Sequence, residues 1–474
     1  LAKLPGDLSL PIVQNQTIKL IRDAIKGVEQ DYTGMSIRRA IILLSIPMVL
    51  EMTMESLFAV VDVFFVARLG THAVATVGLT ESIMMLVYSL AIGLSMAATA
   101  MVARRIGEGD REAAAVAAAQ TLWLGIGMSV ILGIGGYFAA PHVLALMGGE
   151  PELIEQGQGY TRIMFGGNVT IMLLFLLNAV FRGAGDASLA MRTLLLANGI
   201  NIVLDPCLIF GWGPFPELGI EGAALATVIG RGTGVIYQLV HLFTGKDIIR
   251  LSARHLTWVW DIVRKLFAIG ANGAGQFLIA SASWIFLMRI IADFGPDALA
   301  GYTISIRVLV FTILPAWGVA NAASTLVGQH LGARQPGQAA LSAWLASKYA
   351  MYFMLVVAIC YYAFATPIIS IFTDVPAVID AGVQSLKIIS LGYIFYAYGM
   401  VLSQAFNGAG DTKTPMLINL VGFWLIEIPL AWVLAKPMGM GITGVFIAIA
   451  LSESLVAIGC IYFFRLGHWK KTLV

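Results

Sequence analysis

The sequence predicts an all-α polytopic membrane protein, with twelve transmembrane helices in two six-helix lobes related by a pseudo-twofold along the membrane normal. Three observations carry that prediction. The 474 residues are 59% hydrophobic and only 12% charged, with a mean hydropathy of +0.86, which excludes a water-soluble enzyme. Apolar runs of the length a bilayer demands, about 20 residues, recur from one end of the chain to the other. Finally, short stretches of the first half return in the second at a nearly constant offset.

Residues 1–35 contain no apolar core of a signal peptide, so they are read as a cytoplasmic segment of a chain whose start has been trimmed. Between Thr17 and Gln30, the residues Ile18, Ile21, Ile25 and Val28 share one helical face and Lys19, Arg22 and Lys26 lie elsewhere. That is the pattern of an interfacial helix. The spanning runs follow at 37–67, 73–101, 114–140, 152–181, 187–210, 220–243, 261–291, 297–328, 339–364, 377–406, 413–435 and 443–465. They group into an N-lobe over 36–245, a cytoplasmic linker over 246–260, a C-lobe over 261–465 and a tail over 466–474.

Basic residues set the orientation. One set of connections carries Arg38, Arg39, Arg104, Arg105, Arg111, Arg182, Lys246, Arg250, Arg254, Arg264, Lys265, Arg334, Lys413, Lys470 and Lys471, against Arg68 and Lys436 on the other. Both termini are therefore expected in the cytoplasm, with the protein in the plasma (inner) membrane.

The repeat is explicit in the text. FRGAGD at Phe181–Asp186 returns as FNGAGD at Phe406–Asp411, and ARLG ending at Gly70 returns as ADFG ending at Gly295, both with an offset of 225. VARRIG at Val102–Gly107 meets VGQHLG at Val327–Gly332 in the same register, and GIEG at Gly219 meets GITG at Gly441 with an offset of 222. Six crossings return a chain to its starting side. The halves therefore share one orientation and face each other across a central cleft.

Several chemistries are excluded. The net charge of +2 offers no nucleic-acid surface, and Cys207, Cys360 and Cys460 sit in apolar runs, where they support neither a disulfide framework nor a metal cluster. HExxH, Walker and GxSxG motifs are missing from the sequence. GAGD at 183–186 and 408–411 resembles the GxGD mark of an intramembrane aspartyl protease. Each copy, however, falls where a span ends, so its glycine reads as a helix cap.

Charges within the spans carry the chemistry, because each costs about 2.5 to 3.5 kcal/mol at a helix centre. At about 100° per residue, Glu55 lies about 40° and Asp62 about 20° from Glu51, so the three acids of the first span form one stripe. Asn198, Asn201 and Asp205 line a second stripe ahead of Pro206. Asp62, Asp205, Tyr160 and Thr227 fall at one depth in the outer half of the N-lobe. Two carboxylates, an amide, a hydroxyl and a phenol there suit a shared proton or a small hard cation, with Na+ expected at Asp62, Asp205, Asn201 and Thr227. Glu51 and Glu55, about 16 and 10 Å inward of Asp62 at 1.5 Å per residue, read as a proton path or substrate contacts. Glu427, near Pro429, roughly repeats Asp205 and Pro206 and is a candidate second protonation site. Arg307 and Lys387 are candidates to neutralise Glu427 or Glu453, and Glu81, Asn168, Asn178 and Gln276 either line the cleft or bond between helices.

LSIPM at Leu44–Met48, VDVFFVARLG at Val61–Gly70, ARRIGEGD at Ala103–Asp110, FRGAGD and GINIVLDP at Gly199–Pro206 give the chain its resemblance to the multidrug and toxic compound extrusion (MATE) family, over residues 36–465. The resemblance implies two six-helix bundles around a central cavity and antiport of drug-like, mainly cationic compounds against H+ or Na+ by rocking of the lobes. Asp62 and Asp205, with Tyr160, Asn201 and Thr227, match the first-lobe acids of its DinF-like branch. The acids that the NorM-like branch carries in the seventh and tenth helices are replaced by Gln276, Gln384 and Lys387. No cofactor beyond the coupling ion is implied; the expected partners are organic cations and lipid, and a monomer is expected. A flippase for lipid-linked oligosaccharides and, from another class, an intramembrane enzyme acting through Asp62 and Asp205 are the alternatives.

Overall fold

The computed structural model describes residues 10–27, 31–244 and 248–474. Val28 and the lobe boundary at 245/246 lie outside the described residues, as do residues 1–9. Among the described residues every regular element is helical.

Helix α1 (Leu10–Lys26) precedes the N-lobe and leaves Ile18, Ile21 and Ile25 exposed while Ala24 is buried against the body. The N-lobe is built from α2 (Ile37–Val66), α3 (Thr71–Gly107), α4 (Arg111–Leu146), α5 (Pro151–Gly166), α6 (Asn168–Ala184), α7 (Ala187–Phe210) and α8 (Ile220–Thr244). The C-lobe follows with α9 (Trp260–Ala292), α10 (Pro296–Gly332), α11 (Pro336–Ser370), α12 (Pro376–Leu391) and α13 (Tyr393–Gly408). It closes with α14 (Lys413–Asn419), a π-helical stretch at Leu420–Glu427, α15 (Ile428–Ala435) and α16 (Gly441–Leu466). Among the described residues ten spans are long and apolar enough to cross a membrane, with α5–α6 and α14–α15 each making one, and the bent pair α12–α13 makes an eleventh. Helix α2, 30 residues long, is the further long apolar helix and the one that carries three acids.

The expected spans and the helices coincide closely, with one instructive difference. The runs 152–181 and 377–406 read as continuous, yet each breaks at a glycine, Gly167 and Gly392, the second pair meeting at 60°. These glycines are related by the 225 offset of the repeat. A Cβ on Gly167 would lie 2.4 Å from the Val228 side chain of α8, and one on Gly392 would lie 3.3 Å from the Ala450 carbonyl of α16. At each break the last span of its lobe, α8 or α16, packs against the glycine.

The GAGD segments are caps. Gly185 (φ 96°) and Gly410 (φ 87°) take the left-handed conformation that ends a helix. Asp186 then accepts from Leu189 N at 3.1 Å, and Asp411 accepts from Thr414 N at 3.2 Å, satisfying the first free donors of the next helix. The linker between the lobes is docked on α4, where Glu112 binds Arg254 and His255 and Gln120 binds the backbone of Thr257 and Val259. The opposite face holds one basic residue more than the sequence count gave it, Arg289 in the last turn of α9.

The lobes meet along the half that bears the basic connections. Small residues let the backbones approach there: a Cβ on Gly93 would lie 2.3 Å from the Gly270 carbonyl, and one on Gly318 would lie 2.6 Å from Val49 N. Hydrogen bonds cross the same seam, from Thr325 Oγ1 to the Arg182 carbonyl (3.1 Å) and from Gln329 Nε2 to the Gly183 carbonyl (3.0 Å). Arg104 extends the seam to the end of the chain by donating to the Thr472 carbonyl at 2.9 Å. By contrast, the outer core of the N-lobe, around Val77, Met84, Tyr160, Phe165 and Ile209, is made of N-lobe residues alone. That outer core takes no part in the seam between the lobes.

Candidate functional site

Asn198, Asn201 and Asp205 stack along α7 because residues three and four apart share a helical face. Asn198 Nδ2 donates to the Met54 carbonyl at 3.3 Å, fixing α7 against α2. Asn201 donates to Asp205 Oδ1 (3.3 Å) and to Thr227 Oγ1 (3.4 Å). With its amide turned over it does better, donating to Asp205 Oδ2 at 3.0 Å and accepting from Thr227 N at 3.1 Å. Asp205 is 0% exposed and Asp62 8%. The Asp62 charge acts on Asp205 and on the Tyr160 phenol. Thus α2, α5, α7 and α8 bring Asp62, Tyr160, Asn201, Asp205 and Thr227 into one enclosed cluster.

A cation that the sequence reading passed over stands beside this cluster. Arg231, 7% exposed on α8, donates to Tyr88 Oη at 3.3 Å and reaches Glu55 Oε1 at 3.7 Å. Its guanidinium lies over the Phe58 and Tyr88 rings at 5.5 and 5.8 Å, and its charge also acts on Asp62 and Glu81. The signal was present, because Arg231 follows Thr227 by four residues and so shares its face.

Glu51 lies deeper, 0% exposed, and is paired with Arg182 at 3.1 Å. Arg182 belongs to the last turn of α6 and turns into the protein, although the basic count placed it in a connection. Glu51 and Glu55 are therefore ion-paired in this conformation. The stripe on α2 thus carries two ion-paired carboxylates below Asp62.

A family model described as MatE matches residues 47–207 and 274–433. The chain belongs to the MatE family. A probable multidrug resistance protein NorM of Thermotoga maritima is 29% identical over 92% of this chain and 94% of its own length. An FAD transporter of Shewanella oneidensis is 26% identical over 90% and 94%. Among solved structures, one described as the outward-facing conformation of a multidrug resistance MATE family transporter superposes with a TM-score of 0.87. That structure is 27% identical and covers 94% of this chain and 99% of its own.

In the second lobe of this MatE protein the polar residues divide differently. Gln276 bonds Asn407 Oδ1 at 2.9 Å and the Thr412 carbonyl at 2.8 Å, with Gln404 completing the knot at the GAGD cap. In the N-lobe, Gln238 meets Asn178 at the corresponding end, and Asn168 bonds the Ser129 carbonyl. These residues bond between helices. Lys387 lies over the Tyr362 ring at 5.3 Å, and Arg307 is exposed. Among the described residues neither pairs with Glu427 or Glu453, which corrects the neutralising role considered for them. Of the second-lobe aromatics, Tyr393 packs on Tyr361 and Tyr396, and Tyr398 packs on Trp344. Trp284 is exposed.

Proposed function

We propose that the protein is a secondary active efflux antiporter that exports organic, mainly cationic compounds in exchange for H+ or Na+. The observation that carries this reading is the enclosed cluster of Asp62 and Asp205 with Asn201, Thr227 and Tyr160. Among the described residues its carboxylates have no guanidinium within bonding distance, unlike Glu51 and Glu55. A site of this kind takes up a proton or a coordinated cation, and doing so removes the charge that attracts an organic cation. Mutually exclusive occupancy is the thermodynamic basis of exchange.

The glycine-lined seam supports alternating access, because two rigid lobes can part along a seam of small residues without repacking their cores. The multidrug names among the relatives support the substrate class. A flippase for lipid-linked sugars would instead need a cationic cleft. Here Glu51, Glu55, Asp62, Glu81 and Asp205 outnumber Arg182 and Arg231.

Purified protein in liposomes, loaded with a fluorescent organic cation and given either a proton or a sodium gradient alone, tests this directly. One gradient should drive dye movement, and Asp62→Asn and Asp205→Asn should each lower that movement by roughly 5- to 150-fold, the range of a 1 to 3 kcal/mol coupling. Undiminished gradient-driven movement in both variants sinks the assignment. Gradient-driven movement of FAD or of lipid-linked sugar in place of the dye would change the substrate class.

A further inference from the structure

The register that places Gly219 on Gly441 also carries Asp205 onto Glu427, Asn201 onto Phe423, Thr227 onto Ile449 and Arg231 onto Glu453. The C-lobe thus keeps the acid, loses the amide and hydroxyl beside it, and replaces the guanidinium by a second carboxyl.

Glu427 closes the π-helical stretch and is 2% exposed. Its Oε2 is enclosed and has no hydrogen-bond partner. The charge acting on it is that of Glu453 on α16. The widened turns of a π-helix recur at functional sites, because they re-aim a side chain without ending the helix. Here the stretch is pinned on both sides: Ser452 Oγ donates to the Gly422 carbonyl at 2.8 Å, and Trp424 Nε1 donates to the Ile279 carbonyl at 3.0 Å. The first of these bonds comes from the residue next to Glu453 and holds α16 against the stretch that ends in Glu427.

The other titratable groups facing the pair are Tyr302 of α10 beside Glu427, and Tyr396 of α13 and Cys460 of α16 beside Glu453. Of the basic residues on the neighbouring helices, Arg307 of α10 is exposed, Lys387 of α12 lies over the Tyr362 ring, and the others are engaged elsewhere or lie at helix ends. Arg289 and Lys436 act on Asp293, Arg264 and Lys265 sit in the first turns of α9, and Lys413 opens α14.

We infer that Glu427 and Glu453 form a second ion site, specific for a proton, which the two carboxyls share. One proton makes one carboxyl a donor and gives the orphaned oxygen a partner, whereas two carboxylates without a cation, Glu427 buried and Glu453 half-buried beside it, would repel each other. A metal cation is disfavoured by the ligand set. Hard cations want several oxygens, and the amide and hydroxyl that flank Asp205 are Phe423 and Ile449 here. This site stands independently of the efflux reading, whose coupling residues are in the other lobe.

The test is carbodiimide labelling of the purified full chain in detergent, since a hydrophobic carbodiimide reacts with protonated, enclosed carboxyls, with the adducts located by peptide mass spectrometry. An adduct should appear on Glu427 or Glu453, be lost as the pH is raised from mildly acidic to alkaline, and be unaffected by Na+. Asp205→Asn should leave it in place whatever that variant does to transport. Glu427→Gln should move all second-lobe label to Glu453, and size-exclusion behaviour together with labelling at Asp205 reports that the variant is folded. No adduct on either residue in a sample where Asp205 is labelled overturns the site. So does protection by Na+, which would make it a metal-cation site.

Discussion

In the N-lobe, Glu51 meets Arg182 at 3.1 Å and Glu55 meets Arg231 at 3.7 Å, whereas in the C-lobe Glu427 and Glu453 form no ion pair among the described residues. The two lobes follow one chain path, with the same glycine caps and the same break in the fourth span. Exchanges within the repeat separate them, Glu51 against Gln276, Arg182 against Asn407 and Arg231 against Glu453 among them. Shared topology therefore fixes where a charge can be placed, and the residue placed there decides whether the lobe holds an internal counter-ion or a titrating pair.

The largest effect should come from breaking the most buried pair. Arg182 and Glu51 have side chains only 12% and 1% exposed, and removing one partner of such a pair leaves an uncompensated charge, costing about 3 to 5 kcal/mol. Arg182→Ala should lower the melting temperature in detergent sharply, and adding Glu51→Gln should recover much of the loss. If the double variant is as unstable as the single one, Arg182 acts through packing and not as a counter-ion.

Arg231 should matter less for stability and more for binding. Its partner Glu55 is 32% exposed, so the ion pair and the ring contacts together are worth about 1 to 2 kcal/mol. Arg231→Gln frees Glu55 and strengthens the field at Asp62 and Glu81. Equilibrium titration with a lipophilic cation should then show tightening by up to about tenfold, which is about 1.4 kcal/mol. Weaker binding in this variant would mean that Arg231 orders the site and does not compete for it.

These arginines also mark where sequence reasoning stopped. The spans, the repeat, the caps and the five-residue cluster of the N-lobe were legible, because hydropathy length, offset and helical phase are properties of the chain alone. Pairing was not legible, since a guanidinium reaches several ångströms from its Cα. Arg182, counted among the connections, turns inward to Glu51. Phase alone placed Glu51, Glu55 and Asp62 on one stripe and left their different partners open. The breaks at Gly167 and Gly392 and the π-helix before Glu427 escaped notice because apolar residues carry through them. At each of these irregularities α8 or α16 packs against the span, a tertiary contact that hydropathy does not carry.

The smallest effect separates the lobes at their outer turns, where Arg68 and Asp293 occupy equivalent places in ARLG and ADFG. Arg68 lies over the Phe64 ring at 4.5 Å, and Asp293 accepts from Lys436 Nζ at 2.7 Å. That hydrogen bond and the Lys436 charge hold the Asp293 carboxyl below its ordinary value, with Arg289 helping and slight desolvation opposing. A group depressed in the folded state stabilises above its unfolded pKa, about 3.9 for aspartate, and loses that contribution as the pH falls through the folded value. Both side chains are exposed, so Lys436→Met should shift the melting temperature only slightly at neutral pH. The difference from wild type should shrink to nothing on acidification below about pH 4. Arg68→Met should behave otherwise, because neither a guanidinium nor a phenyl ring titrates in that range, so its small difference should persist. Parallel melting curves of the three proteins across the acid range decide the matter. A Lys436→Met difference that grows on acidification, or an Arg68→Met difference that vanishes with it, would show that the outer turns do not divide into a titrating contact and a non-titrating one.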